Sequence, residues 1–482
     1  MIAKLFAPGG WDARPLLRIS WSLVLLLACD AGVVSTDAAV PPARVRVRFD
    51  LSAGPMELGA IPFPDDLYLD AQGRVSLGAL PGEASATDPA MADALRTSFL
   101  ELDGFSVAAP SFFSLPPGSL DASSLPATPS DSVREDASVF LIDIDSASPA
   151  AFQRIPVAVR FDAARGWLAL RPHDGHALVP GRRYAAVVTT GVLDDRGAPI
   201  GPGEAFQQIR DAPARPSDPR SAEAYDHYSP VLATLASNGV ARERVAALAV
   251  FTTQSLAGDL VDARERVWGD ARPQVSLSRV IAAGAELDAL LGVPAQDLPG
   301  VDVEGGVQHA HLAWVVQGSF ESPSFNSPQA GTHARFERDS SGDLRVRRMD
   351  VVPFTLSVPA GAPVDRLPLV IFQHGLGGER SALFAIADAL AVAGFAVLGI
   401  DIPYHGMRAL SATPDRNHNF GSTPGPDGFG DVVGSAVQLD FFGIVDESGE
   451  LPAFHPDYPR DVLRQAVVDL MRAVRVVREG DW

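Results

Sequence analysis

The sequence predicts two successive folding units, an all-β sandwich and then the opening half of a doubly wound α/β sheet. Three observations predict this. Short runs rich in Val and aromatic residues, with period-2 alternation, recur from residue 44 to residue 257 and are bounded by Gly, Pro or Asp. From about residue 334 the apolar runs become continuous and are separated by runs of helical period. The 482 residues include 43 glycines and 40 prolines, enough turn formers for many short strands.

The first unit reads strand by strand. "RVRVRFDL" alternates from Arg44 to Leu51, and "IPFPDDLYLDAQGRVSLG" reads as strand, turn, strand. "SVFLIDID", "IPVAVRFD", "GWLALRP" and "RRYAAVVTTGVLDDRGAPI" follow, the last with a hairpin turn at "DDRG". One helix interrupts, "SAEAYDHYSPVLATLASNG", which Gly239 ends at C′. "VAALAVFTTQS" is expected to be the last strand of this unit. Residues 258–333 read as a connector holding a short helix, "ELDALLG", and a strand, "HLAWVVQGSF".

The second unit starts with "HARFERDSSGDLRVRRMDVVPFTLSVPAG", expected to be a hairpin of long strands. "LPLVIF" is a continuous apolar run, as in a strand covered on both faces. "SALFAIADALAVAG" is a helix with Leu383, Phe384, Ala387 and Leu390 on one face and Gly394 at C′. "FAVLGID" is a second buried strand. "DVLRQAVVDLMRAVRVVREG" is a second helix, whose apolar face by spacing is Leu463, Val467, Leu470, Val474 and Val477.

Composition narrows the function classes. Lys and Arg number 39 against 59 Asp and Glu, a net charge of −20, and Lys4 is the only lysine. Nucleic acid is therefore excluded as a partner, because phosphate binding needs clustered cations. A single cysteine, Cys29, rules out an intrachain disulfide. His309 and His311 sit at i, i+2 and would share a strand face, but no third metal ligand is near in sequence. Asp415, Asn417 and Asn419 have the spacing of a Ca²⁺ loop without its Gly and Glu. No metal and no cofactor is expected.

Lys4, Arg14 and Arg18 precede the apolar run "ISWSLVLLLAC", too short to span a bilayer comfortably. Leu26-Leu27-Ala28-Cys29 resembles the lipobox of bacterial lipoproteins. That resemblance implies a signal peptide over 1–29, lipidation at Cys29, a tether over 30–43 and a lipid-anchored place in the cell envelope, at the outer membrane or periplasmic face. Several acyl chains together would anchor the chain stably in a membrane.

The run "PLVIFQHGLGGERSALFAIADALAVAGFAVLGIDIPYHG" resembles the opening half of an α/β-hydrolase lipase or esterase. More narrowly, the chain resembles bacterial virulence-factor lipases, which include lipid-anchored lysophospholipases with an N-terminal Ig-like domain. "IPFPDDLYLD", "LDGFS", "YAAVVTTGVLDDRGAPI" and "VFTTQS" carry that part of the likeness. The resemblance implies an Ig-like β-domain over 44–257, a partial α/β-hydrolase domain over 334–482, and a lipid or acyl-ester substrate.

Acyl transfer places negative charge on a carbonyl oxygen, and each preorganised backbone donor to it is worth about 10²–10³ in rate. In this fold one donor comes from the loop after the third strand. By resemblance the donor is the amide of Leu376, with His374 and Gly375 shaping the turn and Gly377 and Gly378 allowing close approach. A glycine-rich strand-to-helix turn with no catalytic role is the alternative. Asp401, Pro403, His405 and Gly406 follow the next strand, where loops face substrate. They line the site or form a turn satisfied by its own hydrogen bonds. Neither His374 nor His405 is the catalytic base, because the triad runs Ser, Asp or Glu, then His along the chain.

No serine has glycine at both −2 and +2. "GFSVA" at Ser106, "TTQSLAG" at Ser255 and "VGSAV" at Ser435 all fail the elbow pattern. The nucleophile, acid and histidine are expected beyond Trp482, which would make this chain an incomplete, inactive fragment of a serine carboxylester hydrolase. The competing expectation is a non-enzymatic, lipid-anchored envelope protein that binds a partner through its β-domain. A peptidase on the same fold is a third.

Overall fold

The structure is a computed structural model describing residues 43–51, 57–78, 89–292, 307–326, 336–363, 367–408, 441 and 457–482. Cys29 with its leader and tether, Asp415, Asn417, Asn419 and Ser435 lie outside the described residues.

The first seven strands are β1 (Ser111–Ser114), β2 (Val139–Asp143), β3 (Arg154–Ile155), β4 (Val157–Asp162), β5 (Trp167–Pro172), β6 (Arg183–Thr189) and β7 (Val245–Thr252). They form two antiparallel sheets, β1-β5-β4 and β3-β2-β6-β7. One apolar cluster joins them, with Phe113, Phe140, Leu168, Val187 and Leu248 at 0% exposure. β2 and β7 are buried at almost every position rather than alternately. The helix Pro219–Ser237 explains this: its Tyr228, Val231 and Leu232 join the same cluster. A sheet covered on both faces loses the alternation.

A polar group pins this core. Asp65 is fully buried, and its Oδ2 accepts from the Tyr228 hydroxyl and the Val250 N–H, both at 2.8 Å. Its Oδ1 accepts from Leu67 N–H at 3.0 Å and lies 3.1 Å from His227 Nε2. Burial, then the nearby Asp65 charge, raises the Tyr228 hydroxyl far above its ordinary pKa, so it remains a donor. The carboxylate thus ties the 61–68 loop to β7 and to the helix. Asp65→Ala leaves a buried hydroxyl and a buried N–H unsatisfied, and should cost about 3 kcal/mol or more in urea unfolding. An unchanged urea midpoint would refute this role.

The later strands are β8 (Val275–Ala282), β9 (Leu312–Ser324), β10 (Arg348–Pro359), β11 (Leu369–Gln373) and β12 (Ala396–Ile400). They form one sheet in the order β11-β12-β10-β9-β8. β11 and β12 are parallel and every other pair is antiparallel. Residues read as a connector thus supply β8 and β9. The long hairpin also differs from expectation: β10 pairs with β9, upstream, from Arg348↔Ser324 to Pro359↔Leu312. The "DSSG" segment makes only a tight local turn, closed by an Arg338–Leu344 bridge.

Helices cover both faces of this sheet. In β12, Val397 feeds a cluster with Leu287, Leu383, Phe384 and Ala387, whereas its neighbour Leu398 feeds one with Phe354, Ala473 and Val476. The long helix Asp457–Glu479 is rotated from the face read by spacing. Val462, Ala466, Ala473 and Val476 are buried, while Leu463 and Val467 are 53% and 37% exposed. The reason is polar: Gln465 and Asp469 point inward, and Asp469 Oδ1 accepts from Ser322 Oγ at 2.7 Å and Gln465 Nε2 at 3.0 Å. Among the described residues β11 is the edge strand, and its residues Leu369 to Phe372 are only half-buried, not covered on both faces.

Candidate functional site

Because β11 and β12 are parallel, the segments that follow them leave from the same end of the sheet. These are residues 374–380 and 401–408. Gly378 N–H donates to Gly375 O at 3.1 Å, and Gly377 has φ +75°. With Leu376 absent from the positive-φ residues, this is a type II turn, and its third position needs glycine. Leu376 is 56% exposed, and its N–H donates to no described residue. The turn therefore leaves a backbone donor with no acceptor among the described residues at the end of a parallel strand.

His374 anchors the turn. It is 4% exposed, its Nδ1–H donates to Gly375 O at 2.9 Å, and its Nε2 accepts from Ile402 N–H at 3.3 Å. His405 stands beside it, with ring centroids 5.2 Å apart, and donates from Nδ1 to Pro403 O at 3.0 Å. His405 Nε2 is buried and has no hydrogen-bond partner among the described residues.

Asp401 holds the second loop to the first. Its Oδ1 accepts from Arg380 N–H at 2.8 Å and its Oδ2 from Met407 N–H at 3.1 Å, and the Arg380 guanidinium contacts Oδ2. Both side chains are almost fully buried, 4% for Arg380 and 0% for Asp401. Gly406 has φ +52°, and a Cβ there would fall 2.4 Å from the Asp401 carboxyl carbon. Arg408 donates to Asp401 O at 3.0 Å and to Asp469 Oδ2 at 2.7 Å, linking the loop to the long helix. Tyr404 takes φ +64° without being glycine, a conformation costing about 1–3 kcal/mol that the surrounding contacts must hold.

The residues singled out in the sequence are thus brought together, His374 to Gly378 on one loop and Asp401, Pro403, His405 and Gly406 on the other. Arg380 and Arg408 escaped the sequence reading. The one available signal was a charged residue opening the apolar run "RSALFAIADALAVAG". Ser106 Oγ accepts from the N–H of Ala108 and Ala109, and Ser255 Oγ donates to Asp103. Ser106 closes a local turn, and Ser255 ties two distant stretches of chain together beside the β-region. His309 and His311 do not share a site: one pairs with Asp288 at 2.9 Å, the other with Asp388 at 3.0 Å. Among the described residues no group of three or more His, Cys, Asp or Glu could hold a metal.

Burial depresses both site histidines below their ordinary pKa of 6.5. Arg380 works in the same direction on His374, and Asp401 opposes it. The sign follows: above about pH 6.5 both are neutral folded and unfolded and contribute nothing. Below it the unfolded chain takes up protons first, so stability falls with falling pH until the folded values are reached. The urea midpoint should therefore drop between about pH 7.5 and 5.5, and less so in a His374→Gln/His405→Gln variant. Identical drops in both would contradict this assignment.

The chain matches the family model described as platelet-activating factor acetylhydrolase, isoform II, over residues 352–413. The matched segment runs from β10 through the His374–Gly378 turn and β12 to the Asp401–Arg408 loop, so it includes both site loops. No curated protein and no solved structure matches the chain. The family match supports a lipase- or esterase-type hydrolase.

Proposed function

We propose that this chain carries the oxyanion side of a serine carboxylester hydrolase that acts on lipid or lysophospholipid esters at the cell envelope. One observation carries the reading: a Leu376 N–H with no acceptor among the described residues, held in a type II turn at the end of a parallel strand. Such a donor is what a developing carbonyl oxyanion needs. The matched family, named for hydrolysing the acetyl ester of platelet-activating factor, supports a lipid ester as substrate. The fold proposed with it is an Ig-like sandwich followed by the first half of an α/β-hydrolase sheet. A further parallel strand would add to the open edge of β11 and lead into the elbow, which no G-x-S-x-G within the chain supplies. Lipidation at Cys29 would supply the anchor, and a virulence-factor type of lipase is the narrower family proposed.

The test is to read the locus through and past the codon for Trp482, express the whole reading frame, and assay p-nitrophenyl esters of short and long acyl chains. The reading expects a downstream G-x-S-x-G and hydrolysis that is lost when its serine becomes alanine. A frame without that motif, whose product turns over no ester, would leave the competing reading, a lipid-anchored binding protein.

A further inference from the structure

The outer face of the β1-β5-β4 sheet carries a pocket of about 590 Å³ that the hydrolytic reading does not use. Strand register builds it. Phe112, Ala169 and Arg160 lie opposite one another in one row across the three strands, and Trp167 pairs with Asp162 in the row beside it. Ala169, the small residue in the middle, is the floor, with Phe112 and Arg160 on either side. Trp167 is the wall. Its ring packs over Gly59, where any Cβ would come within 2.8 Å, and meets Phe112 edge-on at 5.7 Å. The pocket is therefore formed in advance. Inward positions of the same strands, Phe113, Leu168 and Leu170, are fully buried, so the outward positions should be polar. Phe112 and Trp167 are there instead, and Phe63 of the preceding loop bridges to Phe112 beside them.

Charge identifies the occupant. On the rim, Arg165 is paired with Asp162 at 2.9 Å. Arg160 is exposed, and its guanidinium has no ion-pair or hydrogen-bond partner among the described residues. In a chain of net charge −20, one free guanidinium over an aromatic pocket marks a place for one negative charge on an apolar body. A polyhydroxylated or multiply charged ligand would leave polar groups unpaired against the walls. We propose that this pocket binds a fatty-acid anion, with the acyl tail over Ala169 between Phe112 and Trp167 and the carboxylate on Arg160. Its volume lies within the range of about 300–1,000 Å³ usual for small-molecule sites.

The experiment titrates the full chain with cis-parinaric acid below its micelle concentration and follows probe fluorescence. Saturable binding is expected. Arg160→Glu should weaken it by about tenfold or more, and Ala169→Phe should abolish it by filling the floor. Both positions face outward, and thermal melts are to check that the variants fold. The uncharged parinaryl alcohol should bind weakly and without regard to Arg160. No saturable binding, or variants that bind like the parent, would overturn the proposal. So would Arg160-dependent sedimentation with phosphatidylglycerol vesicles without binding of the free acid, which would make the face a membrane contact. Ester hydrolysis enters none of these readouts, so the hydrolytic reading can fail while this one stands, and the reverse.

Discussion

Leu376→Pro, made in the whole reading frame, is expected to lower kcat on a p-nitrophenyl acyl ester by about 10²–10³. The substitution removes the one N–H proposed to face the oxyanion and changes little else. Leu376 is the second residue of the type II turn closed by Gly378 N–H on Gly375 O, and proline is favoured at that position. The side chain is exposed, so no core contact is lost. Leu376→Ala keeps the N–H and should stay within a few-fold of the parent, about the spread of ordinary surface changes. Equal activity of the proline and alanine variants would show that this amide stabilises no transition state. Gly377→Val asks a different question, because φ +75° is strained for a β-branched residue and the turn itself would distort.

Asp401→Ala should destabilise the second region by about 3–5 kcal/mol, the usual cost of removing one partner of a buried ion pair. It removes the buried carboxylate facing the Arg380 guanidinium and leaves the Arg380 and Met407 N–H groups without this acceptor. Gly406 supplies an internal check. A Cβ at Gly406 collides with the Asp401 carboxylate, so Gly406→Ala costs both that clash and the positive-φ penalty of about 1 kcal/mol. With Asp401 already alanine the clash is gone, and the same change should cost only the φ penalty. Urea unfolding of the two single variants and the double variant measures this coupling. Strict additivity would mean that the two residues do not oppose each other as their placement requires.

The parts of this architecture visible in the sequence are those with a local signal. The glycine turn at 375–378 was legible because positive φ and close backbone approach call for glycine. The helix ending at Gly239 and the face Leu383, Phe384, Ala387 were legible because spacing alone determines them. Hydropathy misled where buried positions are polar: on the long helix it selected exposed Leu463 and Val467 and passed over Gln465 and Asp469, whose burial rests on partners far away in the chain. The pairing of β10 with β9 was hidden for a similar reason, since residues 325–347 separate the two strands and the turn signal at "DSSG" closes only a local turn. Arg380 and Asp401 lie 21 residues apart, and nothing local couples them. The loop scaffold was therefore visible and its internal fastening was not.

The most direct measurement is covalent labelling of the whole reading-frame product with a fluorophosphonate probe, followed by mapping of the modified peptide. A single labelled serine is expected in a G-x-S-x-G downstream of residue 482, with labelling slowed by Leu376→Pro. A label on Ser106 or Ser255, or no labelled serine in a folded product, would contradict it.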